Sequence, residues 1–450
     1  MLSRRTLCAT GLAGLGFVTL PAWAQEVVAP DVLASTEQPD IDVRSNIEDL
    51  IRDYIEQKGL AAREQRGEIA VLQGFGTVNV PSNNPDWVKY RSLAYEQALK
   101  DAKARWISQQ NHSQTVSLVS RVYRAANQDP PPYQSDDLVK PAKLAEIVAK
   151  MQALGTGHLD QALRELGIDP AKYEKTPPAQ RHVQLSNEIM KVVTTRSIGD
   201  LVGLTTVQTF EGHDGKGNHQ IGLVAVVSPK MKSFAQSVLR LRGNFPADKA
   251  KAQDLGALVK DKQALLQDFG IRWIYDQNGL PVLVSFYQWG LDASGNDPVL
   301  GAQMRDIAVK KAIELADAQI AQFLAASATL TTKSETGERY EKAVERAVDG
   351  YVSQLSPSTK LIDGLDEIFE ERAHVANLTG LKTLTTWGLK HPLSNQMVVG
   401  VVRIWSAASE TATRAVKDAR PLNAPAAATR TPSGPAGTTK GRDFNKADDF

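Results

Sequence analysis

FGTVNVPSNNPDWVKYRSLAYEQALKDAKA, residues 75–104, decides how this chain is organised, because WGLDASGNDPVLGAQMRDIAVKKAIELADA, residues 289–318, repeats it without a gap. The shift of 214 positions lays Phe75-Gly76 on Trp289-Gly290 and Arg91 on Arg305. It also lays Ala94, Ala98, Ala102 and Ala104 on Ala308, Ala312, Ala316 and Ala318. In each copy an aromatic-Gly pair ends a β-like run, and an Arg-x-x-Ala-x-x-x-Ala-x-x-x-Ala pattern follows. Alanines at i, i+4 and i+8 form one narrow smooth stripe on a helix, which lets that helix approach a sheet or another helix closely.

Working outward, Glu68 to Val80 is rich in β-branched and aromatic residues and reads as a strand. Asp86 is placed to cap a helix from Trp87 to about Gln110. Residues 206–212 and 220–227 are two β runs around the turn His213-Asp214-Gly215-Lys216-Gly217-Asn218, a hairpin. Thr385 to Gly388 and Gln396 to Val402 mirror that hairpin at an offset of 176, so the insertion in the first copy is the longer one. In the second copy, 271–275 and 280–289 are strands about the Asn278-Gly279 turn, and the Ala-striped helix runs from about Val299 to Ala326. Each half reads as strand, Ala-striped helix, helical insertion and hairpin. The expected fold is α+β, two tandem β-α-β-β modules, each with its helix on a small sheet.

The expected boundaries are a signal peptide over 1–24, a spacer over 25–44, a first repeat domain over 45–231, a helical connector over 232–268, a second repeat domain over 269–408, and a disordered tail over 409–450. A helical stripe starts the first domain at Ser45–Gln65. The connector carries a hinge at Gly243–Ala247, where the domain boundary falls. Glu335 to Ala373 is a further polar helical stretch.

Arg4-Arg5, the apolar run Thr6–Leu20 and Ala22-Trp23-Ala24 form an export signal with cleavage expected before Gln25. Ser3-Arg4-Arg5-Thr6-Leu7 suits a twin-arginine signal, and an ordinary secretory signal carrying two arginines reads the same way. Cys8 is the single cysteine and lies before the apolar run, so neither a lipid-bearing cysteine nor a disulfide is expected after cleavage. The chain has 52 basic and 51 acidic side chains, and losing Arg4 and Arg5 leaves 50 against 51. Nothing in that balance draws nucleic acid or anionic lipid. No later stretch is apolar and long enough to span a bilayer, so a soluble periplasmic protein is expected.

Chemistry-bearing patterns are sparse. None of the seven histidines forms HExxH. His213 and His219 flank the hairpin turn and could hold a metal with Asp214, although turn residues of this type serve backbone geometry and solubility first. Gly74-Phe75-Gly76 and the glycines of 212–217 open no helix, so they are not phosphate loops. No Gly-x-Ser-x-Gly elbow occurs. Carboxylate neighbours such as Asp136-Asp137 and Glu370-Glu371 face different ways on a helix. Arg91 and Arg305 are expected to make a repeated structural ion pair or backbone contact. No catalytic residue, cofactor or metal is assigned.

A Gly-containing strand followed by that Ala-striped helix resembles the small exported domain of bacterial outer-membrane lipoproteins and of the flagellar T-ring assembly protein. Gly74-Phe75-Gly76 with Arg91, Ala94, Ala98 and Ala102 carries the resemblance in the first copy. Trp289-Gly290 with Arg305, Ala308, Ala312 and Ala316 carries it in the second. It spans some 35 residues per copy and implies an α+β unit used for assembly at the cell envelope, with no catalytic residues. The helical insertions and the missing lipid cysteine depart from that pattern.

The expected function is therefore a non-enzymatic envelope scaffold or assembly protein that contacts other envelope proteins. Asp443, Phe444, Asp448, Asp449 and Phe450 in the polar tail form the candidate docking peptide, since a terminal aromatic with a free carboxylate suits a C-terminus-reading pocket. The alternatives are a binding protein for a cell-wall glycan or small ligand, using an inter-domain cleft lined by Trp87, Trp289 or Trp387, and a hydrolase whose carboxylates meet only in three dimensions.

Overall fold

The computed structural model describes residues 42–125, 149, 152–153, 156–165, 169–214, 217–291, 298–325 and 379–417. The signal, most of the spacer, the stretch 335–373 and the tail beyond 417 lie outside them. Helices α1 (Val43–Gln57) and α2 (Leu60–Gln65) lead into β1 (Ala70–Thr77) and the long α3 (Trp87–Ala125). Then come α4 (Thr156–Glu165), α5 (Pro170–Lys175), α6 (Pro178–Gly199), β2 (Thr205–His213), β3 (His219–Val227), α7 (Pro229–Leu241) and α8 (Lys262–Gln267). The rest is β4 (Gly270–Tyr275), β5 (Pro281–Gly290), α9 (Pro298–Ala325), β6 (Leu381–Lys390), β7 (Met397–Ser406) and α10 (Ala407–Lys417). The chain is α+β. No helix among the described residues is long and apolar enough to cross a membrane.

Two antiparallel sheets form, ordered β1-β3-β2 and β4-β5-β7-β6. The shifts read from the sequence superimpose β1 on β5, β2 on β6 and β3 on β7, and those strands neighbour each other in the same order in both sheets, with β4 added at one edge of the second.

In the first copy the Ala stripe works as a contact surface. A Cβ on Gly74 would lie 2.0 Å from the Ala98 carbonyl oxygen, and one on Gly76 would lie 1.9 Å from that of Ala94. The helix backbone therefore rests directly on the strand, with Ala94, Ala98 and Ala102 all buried. Only glycine in the strand and alanine on the helix leave room for that approach. Ala312 and Ala316 of α9 are also fully buried, against Tyr287 and Val401.

The cores of the two halves are shared. One cluster joins Ile221 and Leu223 of β3 to Val284 and Phe286 of β5 through Tyr95 and Trp87 of α3. A second joins Val224 and Val226 to Leu283, Phe323 and Trp405. The described residues cluster as one compact unit. The expected boundary within 232–268 separates no two cores. Its hinge is packed: Phe245 meets Phe234 and Trp405 at ring distances of 5.6 and 6.1 Å. Gly243, at φ 89°, lies against Ala407 and Thr411 of α10, leaving no room for a side chain.

Two further boundaries differ from expectation. α3 continues fifteen residues past Gln110, because no Gly or Pro interrupts 111–125 and its polar residues meet α6. Asn111 Nδ2 donates to Thr194 Oγ1 at 3.0 Å. Residues 409–417 are helical rather than part of the tail. Ser406 and Ser409 cap the helix start reciprocally, each backbone N–H donating to the other's Oγ at 3.0 Å. Glu410 then accepts from Trp405 Nε1 at 3.2 Å and from Thr379 Oγ1 at 2.8 Å.

Candidate functional site

The hairpin β2–β3 determines which side chains can meet. His213 pairs with His219 across its end, and Glu211 lies two residues before His213, so all three share one face. Asp214 holds the turn: its N–H donates to Asn218 O at 3.2 Å and its Oδ1 accepts from Asn218 N at 3.1 Å. The second sheet supplies the opposite side through the β6–β7 turn. There His391 N donates to Gln396 O, and Asn395 N to His391 O, both at 2.8 Å. Gln396 Nε2 also donates to Asn84 O just before α3, tying this turn to the helix start.

Arg91, at the start of the second turn of α3, is fully buried and forms the base of the site. Its Nε donates to Glu211 Oε1 at 2.6 Å and its Nη2 to Oε2 at 2.7 Å, a bidentate pair. Nη1 donates to Gln288 Oε1 of β5 at 2.8 Å, and Nη2 also to Leu266 O at 2.7 Å. Gln288 Nε2 in turn donates to the carbonyls of Leu265, Leu266 and Asp268. One guanidinium thus links a strand of each sheet to α8 and its exit.

His219 Nε2 lies 2.5 Å from Glu211 Oε1, and His391 Nε2 lies 3.8 Å from the same oxygen. Both rings pack on the buried Trp87, at centroid distances of 4.9 and 4.6 Å. His213 stacks on His219 at 6.1 Å. Burial favours the neutral form of Glu211, but the Arg91 charge and the bonds from His219 and Arg91 overcome it and hold the carboxyl well below its usual range. His391 is driven down from 6.5 to about 3, first by burial and then by the Arg91 charge, against the attraction of Glu211.

Above this layer is a cavity of about 250 Å³ lined by Glu211, His213, His219, Gln267, His391, Pro392 and Leu393. His213 is exposed at its rim. Among the described residues no three His, Cys, Asp or Glu side chains are placed to hold a metal ion. The three tryptophans expected to wall a cleft do not line this cavity. Trp87 lies beneath the imidazoles, Trp387 is buried over Gly400, and Trp289 packs beside Tyr287.

Of the repeat signature, only Arg91 reaches the site. Arg305 is exposed, and Gly290 abuts Val88 and Lys89 of α3 rather than α9. Asp443, Phe444, Asp448, Asp449 and Phe450 lie outside the described residues. Reading the sequence missed Glu211 and His391. A signal existed for the first: a lone carboxylate late in the strand Thr205–His213 demands a partner once buried. His391 carries none, since a histidine in a turn is unremarkable until the second hairpin is folded against the first.

A larger open groove, of about 530 Å³, runs beside the outer edge of β1. Side chains already occupy that edge. The N–H groups of Val71, Phe75 and Thr77 donate to Glu64, Asp101 and Gln97 at 2.7, 3.1 and 3.3 Å. Capping of this kind blocks strand addition.

A family model described as a domain of unknown function, DUF6844, matches residues 144–240, a stretch that includes Glu211, His213 and His219 but neither Arg91 nor His391. No curated protein matches the chain. The crystal structure of the hypothetical protein FTT1539c from Francisella tularensis is similar at 22% identity and a TM-score of 0.48, covering 83% of this chain and 93% of that one.

Proposed function

We propose that the protein is an exported binding protein of the cell envelope whose working site is the cavity between the two hairpin ends. One observation carries this reading. Glu211, His213 and His219 from one sheet and His391 from the other converge on a single cavity of about 250 Å³, above a buried Arg91–Glu211 pair. Burying two charges and two imidazoles in one place is costly for stability, and it is the arrangement expected where polar groups are kept for recognition. Export rests on the signal-like residues 1–24. The resemblance to outer-membrane lipoprotein and T-ring domains stays a proposal of the same standing. Scaffolding through the tail rests on Asp443 to Phe450, which lie outside the described residues, so the cavity carries the proposal instead.

The test is a thermal-shift screen of the chain from Gln25 against sugars, wall fragments, small carboxylates and small amines. A Leu393→Trp variant, which fills the cavity, serves as the control. The expected result is stabilisation by at least one class, absent in the variant. A flat response to all classes sinks the reading.

A further inference from the structure

The outer strand edges of the two sheets are finished in different ways. That of β1 is capped by Glu64, Gln97 and Asp101, and the edge strands β2 and β4 pack against each other. The remaining edge belongs to β6, Leu381–Lys390, which pairs only with β7. His391 N–H donates inward to Gln396 O, and the carbonyl of Met397, opposite Lys390, accepts from Leu291 on the β5 side. By alternation Lys390, Gly388 and Thr386 therefore turn their N–H and C=O groups away from β7. Among the described residues none of these three N–H groups has a hydrogen-bond partner, and the Thr386 carbonyl accepts only from Thr385 Oγ1 at 3.3 Å. Lys382, Thr383, Thr386 and Lys390 are exposed.

We propose that β6 receives an extended acidic segment of a partner protein, which joins the second sheet as an added strand. The proposal goes beyond the cavity and does not depend on a ligand there. Main-chain pairing gives affinity for any extended chain, so the side chains along the edge decide which one is taken. Lys382 and Lys390 stand near the two ends of β6, and none of its ten residues is acidic. Arg305 adds a third cation, its Nη2 lying 3.7 Å from where a Cβ on Gly388 would stand. None of the three makes an ion pair among the described residues, whereas Arg403, one strand inward, is taken up by Asp317. A second copy is a poor occupant. Laid antiparallel on itself about Thr386, β6 would set Lys382 against Lys390, and like charges opposed across a strand pair repel. A strand with carboxylates near its two ends turns both contacts into attraction.

The experiment titrates a labelled peptide, Glu-Glu-Thr-Val-Thr-Ile-Thr-Glu-Glu, with the chain from Gln25 and follows fluorescence anisotropy. Two comparison peptides carry Lys in place of Glu, or N-methyl groups on the central Thr-Val-Thr-Ile-Thr amides. Saturable binding of the acidic peptide is expected, at least tenfold tighter than that of either comparison. Thr386→Pro removes one outward N–H, a change that an edge strand tolerates, and should weaken binding at least tenfold. Lys382→Glu combined with Lys390→Glu should shift the preference toward the lysine peptide. Silence to the acidic peptide overturns the proposal. Equal binding of the N-methylated peptide reduces the contact to charge alone and overturns strand addition; equal binding of the lysine peptide overturns the acidic partner. Two other occupants would show themselves and displace the partner. A dimer in sedimentation that Thr386→Pro dissolves gives the edge to a second copy. Peptide binding at least tenfold tighter in Asp448→Lys with Asp449→Lys gives it to this chain's own end.

Discussion

Arg91 and Arg305 occupy the same point of the same signature 214 residues apart, yet one is fully buried and the other exposed. The difference lies in what each strand offers. The first hairpin carries Glu211 where the second carries the apolar Trp387-Gly388, so only Arg91 has a carboxylate to enter the interior with. The two stretches therefore share a sequence pattern while their arginines sit in different surroundings. Substituting both residues separates these roles. Arg91→Met leaves Glu211 buried without its bidentate partner, and about 3–5 kcal/mol of unfolding free energy should be lost. Arg305→Met should change it by less than about 0.5 kcal/mol. Paired urea titrations of the two variants measure both; equal costs would mean that the copies are electrostatically alike after all.

The aromatic-Gly pairs diverge in the same manner. Gly76 rests on the backbone of the helix that follows it, Ala94 O lying 1.9 Å from where a Cβ would stand. A Cβ on Gly290 would lie 2.9 Å from Lys89 Cγ and 3.0 Å from the Lys89 backbone N, a contact with α3 rather than with its own helix and looser than that at Gly76. Gly76→Ala must push strand and helix apart and should cost about 3 kcal/mol, near the upper end for overpacking. Gly290→Ala also meets the Lys89 backbone N at 3.0 Å and Val88 Cβ at 3.2 Å, so the start of α3 must give slightly, and it should cost about 1–2 kcal/mol. A thermal melt of each variant gives the order, and a Gly290 cost above that of Gly76 would reverse the assignment of the tighter seam.

The two hairpin ends differ in how they answer acid. His391 in the second hairpin has its folded value lowered from 6.5 to about 3, so between those values the unfolded chain binds a proton that the folded chain refuses. Stability should then fall as pH is lowered through that window, with a slope approaching about 1.4 kcal/mol per pH unit. Glu211 in the first hairpin is also lowered. Its contribution is complete above the ordinary carboxyl value of 4.5 and is lost below it, as pH falls through the folded value. His391→Gln should flatten the profile between about pH 6 and 4.5 and leave the loss below that, where Glu211 acts. Chemical denaturation across pH checks this; a wild-type slope in the variant would move the acid sensitivity elsewhere.

What could be read from sequence follows from the range of each interaction. Both hairpins, the second Ala-striped helix and the start of the first are set by local period and turn chemistry, and their ends fall within a few residues of the observed ones. The end of α3 was not local: nothing in 111–125 breaks a helix, and Asn111 Nδ2 donates to Thr194 Oγ1, 83 residues on. The site was legible only in part. His213 and His219 share a hairpin and were visible as a pair. Glu211 meets Arg91 across 120 residues and Gln288 meets Arg91 across 197, so their company depends on two sheets closing on one helix. His391 is further still from any local pattern.

A further, small effect tests whether burial, rather than geometry, makes the ion pair of Arg91 special. The second copy has its own helix-to-strand pair. Arg403 of β7 donates from Nε and Nη2 to the two oxygens of Asp317 on α9, at 2.7 and 2.8 Å, as bidentate as Arg91 on Glu211. The side chains there remain 12% and 27% exposed, against 0% and 10% for Arg91 and Glu211. Water and salt reach the outer pair, and removing one partner leaves the other able to hydrate. Arg403→Met should cost about 0.5–1 kcal/mol, a difference that shrinks as salt is raised to about 1 M. The cost of Arg91→Met should be nearly insensitive to salt, because a dry pair is poorly screened. Should Arg403→Met cost as much as Arg91→Met at high salt, fork geometry would account for both pairs, and the buried Arg91 would lose its claim to be the charge on which the two sheets depend.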